Sequence, residues 1–317
     1  MADRRFTLND LLEAKGLPCA SDATLAVLRD IIDEGVLGAS NHVALALPLI
    51  ARIAAEVRET APDEALETAR FIAAVRGAAA PIVANAIAWQ TQGLETLSRK
   101  AMTAHLSERA ERWNVEAKRR RMTLVEKARF HLSQCRTVLV FDYSSTVVDV
   151  VRALDEHGIL QRIDIPESRS IEGGRRYLEA LSASRADLAF LPDAALDWAV
   201  GRVDAVLLGA ESVTRDGGII NTIGSMIAAR AAAAYDVPVY GVADLFKVGS
   251  LTTEEIAEPL ERSYDFLLPE GAHAMTAAPE LEIVPPRLIT SILTEAGAVA
   301  PADLSAIVDG ALSGDQP

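Results

Sequence analysis

The sequence predicts an α/β chain, with an N-terminal all-helical domain over residues 1–130 and a parallel-sheet domain over residues 131–317. Two observations predict it. Before about residue 130, apolar residues recur at helical spacing and nothing reads as a strand. From Thr137 onward, short continuous apolar runs alternate with helix-like segments. Such runs suit strands buried on both faces and joined by right-handed crossovers, the doubly wound, Rossmann-like arrangement. A length of 317 residues agrees with two domains.

Taken in order, Asp22 to Asp33 places Leu25, Leu28, Ile31 and Ile32 on one helical face, with Ser21 as N-cap. Asn41 to Arg58 is an Ala/Leu/Ile-rich amphipathic stretch. Pro62 and Asp63 restart a helix that runs towards Val75, and Gly77 interrupts it. Pro81 sits in the first turn of the next helix, which continues past Trp89. His105 to Cys135 is one long charged helical pattern holding the basic run Lys118 to Arg121. The expected strands are 137–141, 159–165, 186–191, 203–209, 237–242 and 264–268, with helical segments that include 174–184 and 223–235. The domain boundary is expected within 125–137, and the tail after Gly310 is expected to fray.

Composition narrows the function classes. Lys and Arg total 31 against 45 Asp and Glu, a formal charge of -14. So acidic a surface repels phosphate backbones and argues against direct nucleic-acid binding. A phosphorylated ligand must then be drawn in by a local basic or dipolar pocket. Cys19 and Cys135 form neither a CxxC pair nor a disulfide framework. His42, His105, His131, His157 and His273 are scattered, so neither a metal nor another cofactor is expected. The N-terminus lacks the apolar run of a secretory signal and no stretch is long enough to span a membrane, which makes a cytoplasmic setting the expectation.

In an open parallel sheet, ligands bind outside the carboxyl ends of the strands. That rule selects FDYSST (141–146), ESRSIEGG (167–174), GAESVTRDGGIIN (209–221) and ADLFK (243–247). Each has an ordinary explanation: a helix cap, a loop with a surface Arg, a turn between short strands, a solvated Lys. Their coincidence at the strand ends of one sheet is what points to a phosphate-compatible pocket.

These segments carry a resemblance. VDAVLLGAESVTRDGGIINTIGSMIAARAA resembles the acidic Gly-Ala signature of the translation initiation factor 2B alpha/beta/delta family. That signature also marks methylthioribose-1-phosphate isomerase and ribose-1,5-bisphosphate isomerase. ESRSIEGGRRYLEAL, VLVFDYSSTVVDVV and VPVYGVADLFKV are similar to further family segments. Upstream, VRGAAAPIVANAI resembles the family's Arg-containing helix entry, and VLGASNHVALAL resembles its Gly-Ala loop, with Leu37 where the enzymes usually have Arg.

The resemblance implies a substrate site built from Gly38, Ala39, Arg76, Ser145, Arg169, Asn221, Thr222 and Lys247, with Glu211, Tyr143, Asp142 and Ser144 as candidate catalytic groups. It also implies a homodimer or higher homo-oligomer paired through the α/β domain. The enzymes use a Cys and an Asp; here the Cys position is Tyr143, the acid is Glu211, and the Lys that usually follows the motif Asn is Thr222. Aldose–ketose isomerisation moves a proton between adjacent carbons through an enediol, and needs one carboxylate of raised pKa held away from water. Glu211 is the expected base, Tyr143, Ser144 or Asp142 would manage the sugar oxygens, and Arg76 and Lys247 would hold phosphate. Two readings stand: an isomerase acting on a phosphorylated pentose-like sugar, or a non-catalytic regulatory protein that binds a sugar phosphate or nucleotide.

Overall fold

A computed structural model describes residues 21–33, 39–77, 79–257 and 261–312. The chain divides into two compact units, Met1–Arg119 and Arg120–Pro317. The division falls within the long helix Arg99–His131, ahead of the 130/131 boundary expected from the change of rhythm.

The first unit is helical: α1 (Asp22–Ile32), α2 (Ala39–Ala54), α3 (Ala61–Arg76), α4 (Pro81–Thr91) and the first part of α5 (Arg99–His131). The Ser21 hydroxyl caps α1 by accepting from the Thr24 N–H at 3.2 Å. α2 packs against both α3 and α4. Leu28 and Ile31, Leu47 and Ile50, Ile72, and Val83 and Ile87 are buried, one apolar face from each helix. Gln90 ties this core together, donating to the carbonyls of Leu47 at 2.9 Å and Leu106 at 3.0 Å.

The second unit opens with the rest of α5 and then alternates. β1 (Thr137–Phe141), α6 (Ser145–Glu156), β2 (Arg162–Pro166), α7 (Gly173–Ala180), β3 (Asp187–Leu191), α8 (Leu196–Val200) and β4 (Ala205–Leu208) follow one another. A hairpin of β5 (Ser212–Val213) and β6 (Ile219–Thr222) leads to α9 (Ser225–Ala234) and β7 (Val239–Val242). Beyond it come the small pair β8 (Glu261–Arg262) and β9 (Ala278–Pro279), then β10 (Leu281–Val284), β11 (Ser291–Thr294), β12 (Gly297–Val299) and α10 (Leu304–Leu312).

The main sheet runs β12-β11-β7-β4-β1-β2-β3, parallel except for β12. Alternation along the strands sends Val138, Val140, Ala205 and Leu207 to one core with α5, α6 and α7. Leu139, Phe141, Val206 and Leu208 enter the opposite core with α8, α9 and α10. Strand order reverses between β1 and β4, so the crevice of this fold opens at their carboxyl ends. A second, antiparallel sheet, β10-β6-β5, stands beside it and carries the GGIIN segment.

One expected strand is corrected. YDFLL (264–268) is not in the main sheet; Asp265–Leu267 is a 3-10 turn in the excursion between β8 and β9, with Phe266 and Leu267 exposed. The sheet is instead extended by β11, parallel to β7, and by its hairpin partner β12. Among the described residues, no helix is long and apolar enough to cross a membrane.

Candidate functional site

The loops after β1 and β4 meet at the crevice. A Cβ on Gly209 would stand 2.5 Å from the Ser144 Cβ, so only glycine permits this approach. Ser144 caps α6, its hydroxyl accepting from the Val147 N–H at 3.4 Å. Its own N–H donates to the phenol of buried Tyr177 at 3.2 Å. Ser145, exposed, begins the helix, and its carbonyl accepts from Arg121 at 2.7 Å.

Asp142 is the buried acid of the site. Its Oδ2 accepts from the Thr222 hydroxyl at 2.6 Å and its Oδ1 from the Ser168 hydroxyl at 3.3 Å. Burial pushes its carboxyl above the ordinary aspartate value, against hydrogen bonds from Thr222, the Tyr143 backbone and Ser168 and the charge of Arg176. Asp142, Ser168 and Glu172 all adopt left-handed backbone, at φ 56°, 47° and 54°. Three such residues at neighbouring strand ends are a concentration of backbone strain of the kind found at working sites. Asp193 fixes the second loop, taking the N–H groups of Ser168 and Arg169 at 2.8 Å each.

Tyr143 lies between two neighbours. The Tyr177 ring is 5.5 Å away, and the Arg176 guanidinium lies 3.9 Å over its face. The Arg169 side chain points to solvent and pairs with Glu172 at 3.4 Å.

Glu211 corrects an expectation. Its backbone N–H donates to the Ile220 carbonyl at 2.9 Å, but its side chain is exposed rather than held dry. Lys247 does reach the motif: its Nζ donates to the Ala210 carbonyl at 2.5 Å. Asn221 is buried and donates to the Ser225 hydroxyl at 3.0 Å, which in turn donates to the Thr222 carbonyl at 2.8 Å. Asn221 therefore orders the turn into α9. The N-terminus of α9 is already occupied: Glu282, opposite Asn221 on β10, accepts from the N–H groups of Gly224 at 2.6 Å and Met226 at 2.8 Å.

Thus Asp142, Ser144, Thr222 and Lys247 gather at the ends of β1, β4, β6 and β7, with Tyr143 and Arg176 at one side. Gly38 lies outside the described residues. Ala39 and Arg76 belong to the helical unit, where Ala39 opens α2 and Arg76 ends α3 with its Nη2 3.4 Å from the His42 Nδ1. Sequence reasoning missed Ser168, Gly173 and Arg176. The first two sit within the ESRSIEGG segment, but no spacing rule singles them out. A Cβ on Gly173 would stand 2.3 Å from the Asp142 Oδ1 and 2.9 Å from the Tyr143 nitrogen, which shows how closely α7 is pressed to the acid. Among the described residues, no three His, Cys, Asp or Glu side chains are grouped to hold a metal ion.

Chemically, the arrangement offers a cation, a helix N-terminus, a buried carboxyl and an exposed carboxylate around one crevice. Comparison with known proteins gives relatives of two kinds. The chain is 26% identical over 214 residues to translation initiation factor eIF2B subunit alpha of Dictyostelium discoideum, covering 64% of this chain and 67% of that protein. It is 26% identical over 240 residues to methylthioribose-1-phosphate isomerase of Herpetosiphon aurantiacus, covering 68% of each. The translation initiation factor eIF-2B structure from Pyrococcus horikoshii OT3 superimposes with a TM-score of 0.73 at 19% identity, over 89% of this chain and 98% of that one, which shows a shared fold. Residues 23–301 match the family model throughout, and the chain belongs to the initiation factor 2 subunit family.

Proposed function

We propose that the chain binds a phosphorylated pentose-like sugar at the crevice between β1 and β4 and interconverts its aldose and ketose forms. The observation that supports this reading is the hydrogen bond from Lys247 Nζ to the carbonyl of Ala210, the residue before Glu211, near the switch point of the sheet. Lys247 and the first turn of α6 attract the phosphoryl group. Glu211, at the open side, removes the proton from C2 of the ring-opened sugar, and the proton returns at C1 after the enediol forms. Closure of the bound sugar over Glu211 supplies the shielding that its exposed side chain otherwise lacks. Asp142 accepts from a sugar hydroxyl, as it does from Thr222 and Ser168, and Ser144 and Tyr143 orient the sugar oxygens. The relatives named as methylthioribose-1-phosphate isomerase support the substrate class. Work in the cytoplasm as a homodimer or higher homo-oligomer completes the reading; exposed Trp198 on α8 and Ile227 on α9 offer apolar surface for pairing.

A second reading is favoured by a specific observation. Tyr143, at the position where the resembling isomerases carry Cys, is packed between Arg176 and Tyr177. A ring held in this way suits a binding pocket that does no chemistry, as in a regulatory subunit sensing a sugar phosphate or nucleotide. One experiment separates the two. Ribose 1-phosphate, ribose 1,5-bisphosphate, methylthioribose 1-phosphate and AMP are each titrated by calorimetry, then incubated with the protein in deuterium oxide and followed by proton NMR. Ketose formation with loss in Glu211→Gln supports the isomerase; saturable binding without conversion supports the regulatory reading; no binding by any of them removes both.

A further inference from the structure

One carboxylate at the same edge of the sheet has no part in the chemistry above. Glu295 follows β11, and its carboxylate accepts from the Leu245 N–H, Oε2 at 3.1 Å and Oε1 at 3.3 Å. Leu245 opens the 3-10 turn Leu245–Lys247, which is closed by Lys247 N–H to the Asp244 carbonyl at 3.0 Å and Val248 N–H to the Leu245 carbonyl at 3.1 Å. Downstream, the chain is tied to β5 by Gly249 N–H to the Val213 carbonyl at 2.8 Å. The side-chain anchor of the turn's first residue is therefore Glu295, and the turn's last residue sends its ammonium to Ala210.

We infer that Glu295 is a positioning residue, which holds the 245–247 turn so that the Lys247 ammonium stands at the crevice to meet an anion. The inference rests on reading Lys247 as the anion anchor. The charged groups facing Glu295 are Asp244 at the end of β7 and Arg120 of α5, whose guanidinium lies 4.0 Å over the ring of Phe246 in the same turn. The Oδ1 of Asp244 is buried and has no hydrogen-bond partner among the described residues. The β11–β12 hairpin, residues 296–300, adds no titratable side chain. Burial and the charge of Asp244 push the Glu295 carboxyl up to about 7, with the N–H groups of Glu295 and Leu245 and the Arg120 charge acting the other way. The anchor of Lys247 thus changes charge in the neutral range, and each ionisation sets a negative group behind the anion site.

Sulfate is the probe, because it stays divalent across the neutral range whereas phosphate itself titrates there. Calorimetric titration of the wild-type chain should show sulfate affinity falling about threefold to tenfold as pH rises through about 7. Glu295→Gln keeps an acceptor for the Leu245 N–H but cannot ionise, and should bind as the wild type does in acid, with no inflection. Glu295→Ala loses both the anchor and the charge, and should bind at least about fivefold more weakly than Glu295→Gln at every pH. The wild-type inflection in Glu295→Gln, or a folded Glu295→Ala that binds as tightly as Glu295→Gln, overturns the inference. Lys247→Ala separates it from the site assignment: unchanged sulfate binding there means that the site itself is wrongly assigned, while lost binding there with none lost in Glu295→Ala condemns Glu295 alone.

Discussion

The Thr222 hydroxyl donates to the Oδ2 of Asp142 at 2.6 Å across 80 residues of chain, joining the small antiparallel sheet to the end of β1. Thr222→Val keeps the shape and removes the donor. Leaving a buried carboxyl oxygen unsatisfied should cost about 1–3 kcal/mol, read as a lower urea midpoint. The Asp142 pKa is already raised by burial, so its favourable contribution belongs to the acid side and fades as pH climbs. The lost hydrogen bond stabilises the ionised form, so the deficit of the variant should widen with rising pH. A pH-independent deficit would refute the role given to Thr222.

Gly173→Ala drives a methyl group against the Asp142 Oδ1 and the Tyr143 nitrogen. Asp142 is pinned by two hydroxyls and the second atom is backbone, so α7 must shift. The expected loss is about 1–3 kcal/mol by thermal or chemical unfolding, accompanied by weakened sugar-phosphate binding. Unchanged stability would show that α7 is less tightly seated than its contacts indicate.

Glu211→Gln tests chemistry without testing folding. The side chain is exposed, so unfolding free energy should stay within about 0.5 kcal/mol of wild type. Turnover of any aldose substrate should fall by at least about 100-fold. A stability loss beyond that range would mean that Glu211 has a structural partner in solution.

Glu295 should give the stability curve a slope in mildly acidic solution. Its carboxyl rises from an ordinary 4.5 to about 7 on folding, so the native state holds this proton more tightly. The stabilisation is present below the unfolded value and is lost as pH rises through about 7, on the order of 2–3 kcal/mol across that window. Urea midpoints from about pH 4.5 to about pH 7.5 should fall in the wild type and flatten in Glu295→Gln.

The strands within 137–141, 203–209 and 237–242 were legible because these runs are predominantly apolar, as a strand covered on both faces needs. YDFLL carries the same signal and yet forms an exposed turn, since local apolar content cannot say whether a neighbouring strand is present to pair with. β11 was hidden for the opposite reason: Ser291 and Thr294 end it, leaving Ile292 and Leu293 as its only apolar pair, and with the strand went Glu295. At the site, strand-end logic selected the segments that hold Asp142, Ser144 and Lys247, and the family resemblance added Thr222. It could not find Gly173 or Arg176, whose importance comes from the seating of α7 on the neighbouring loop. Nor could it foresee that Glu211 is exposed, because the direction of a side chain in the short loop between β4 and β5 is not set by strand alternation.

Glu282 has a consequence for which anions the protein can accept. Of the helices that begin beside the crevice, α9 is already neutralised from within by a carboxylate that the chain carries itself. Under the proposed reading, a phosphoryl group is drawn to the first turn of α6 rather than to that of α9. One substitution at position 282 would expose the second pole and let a dianionic ligand lodge the other way round.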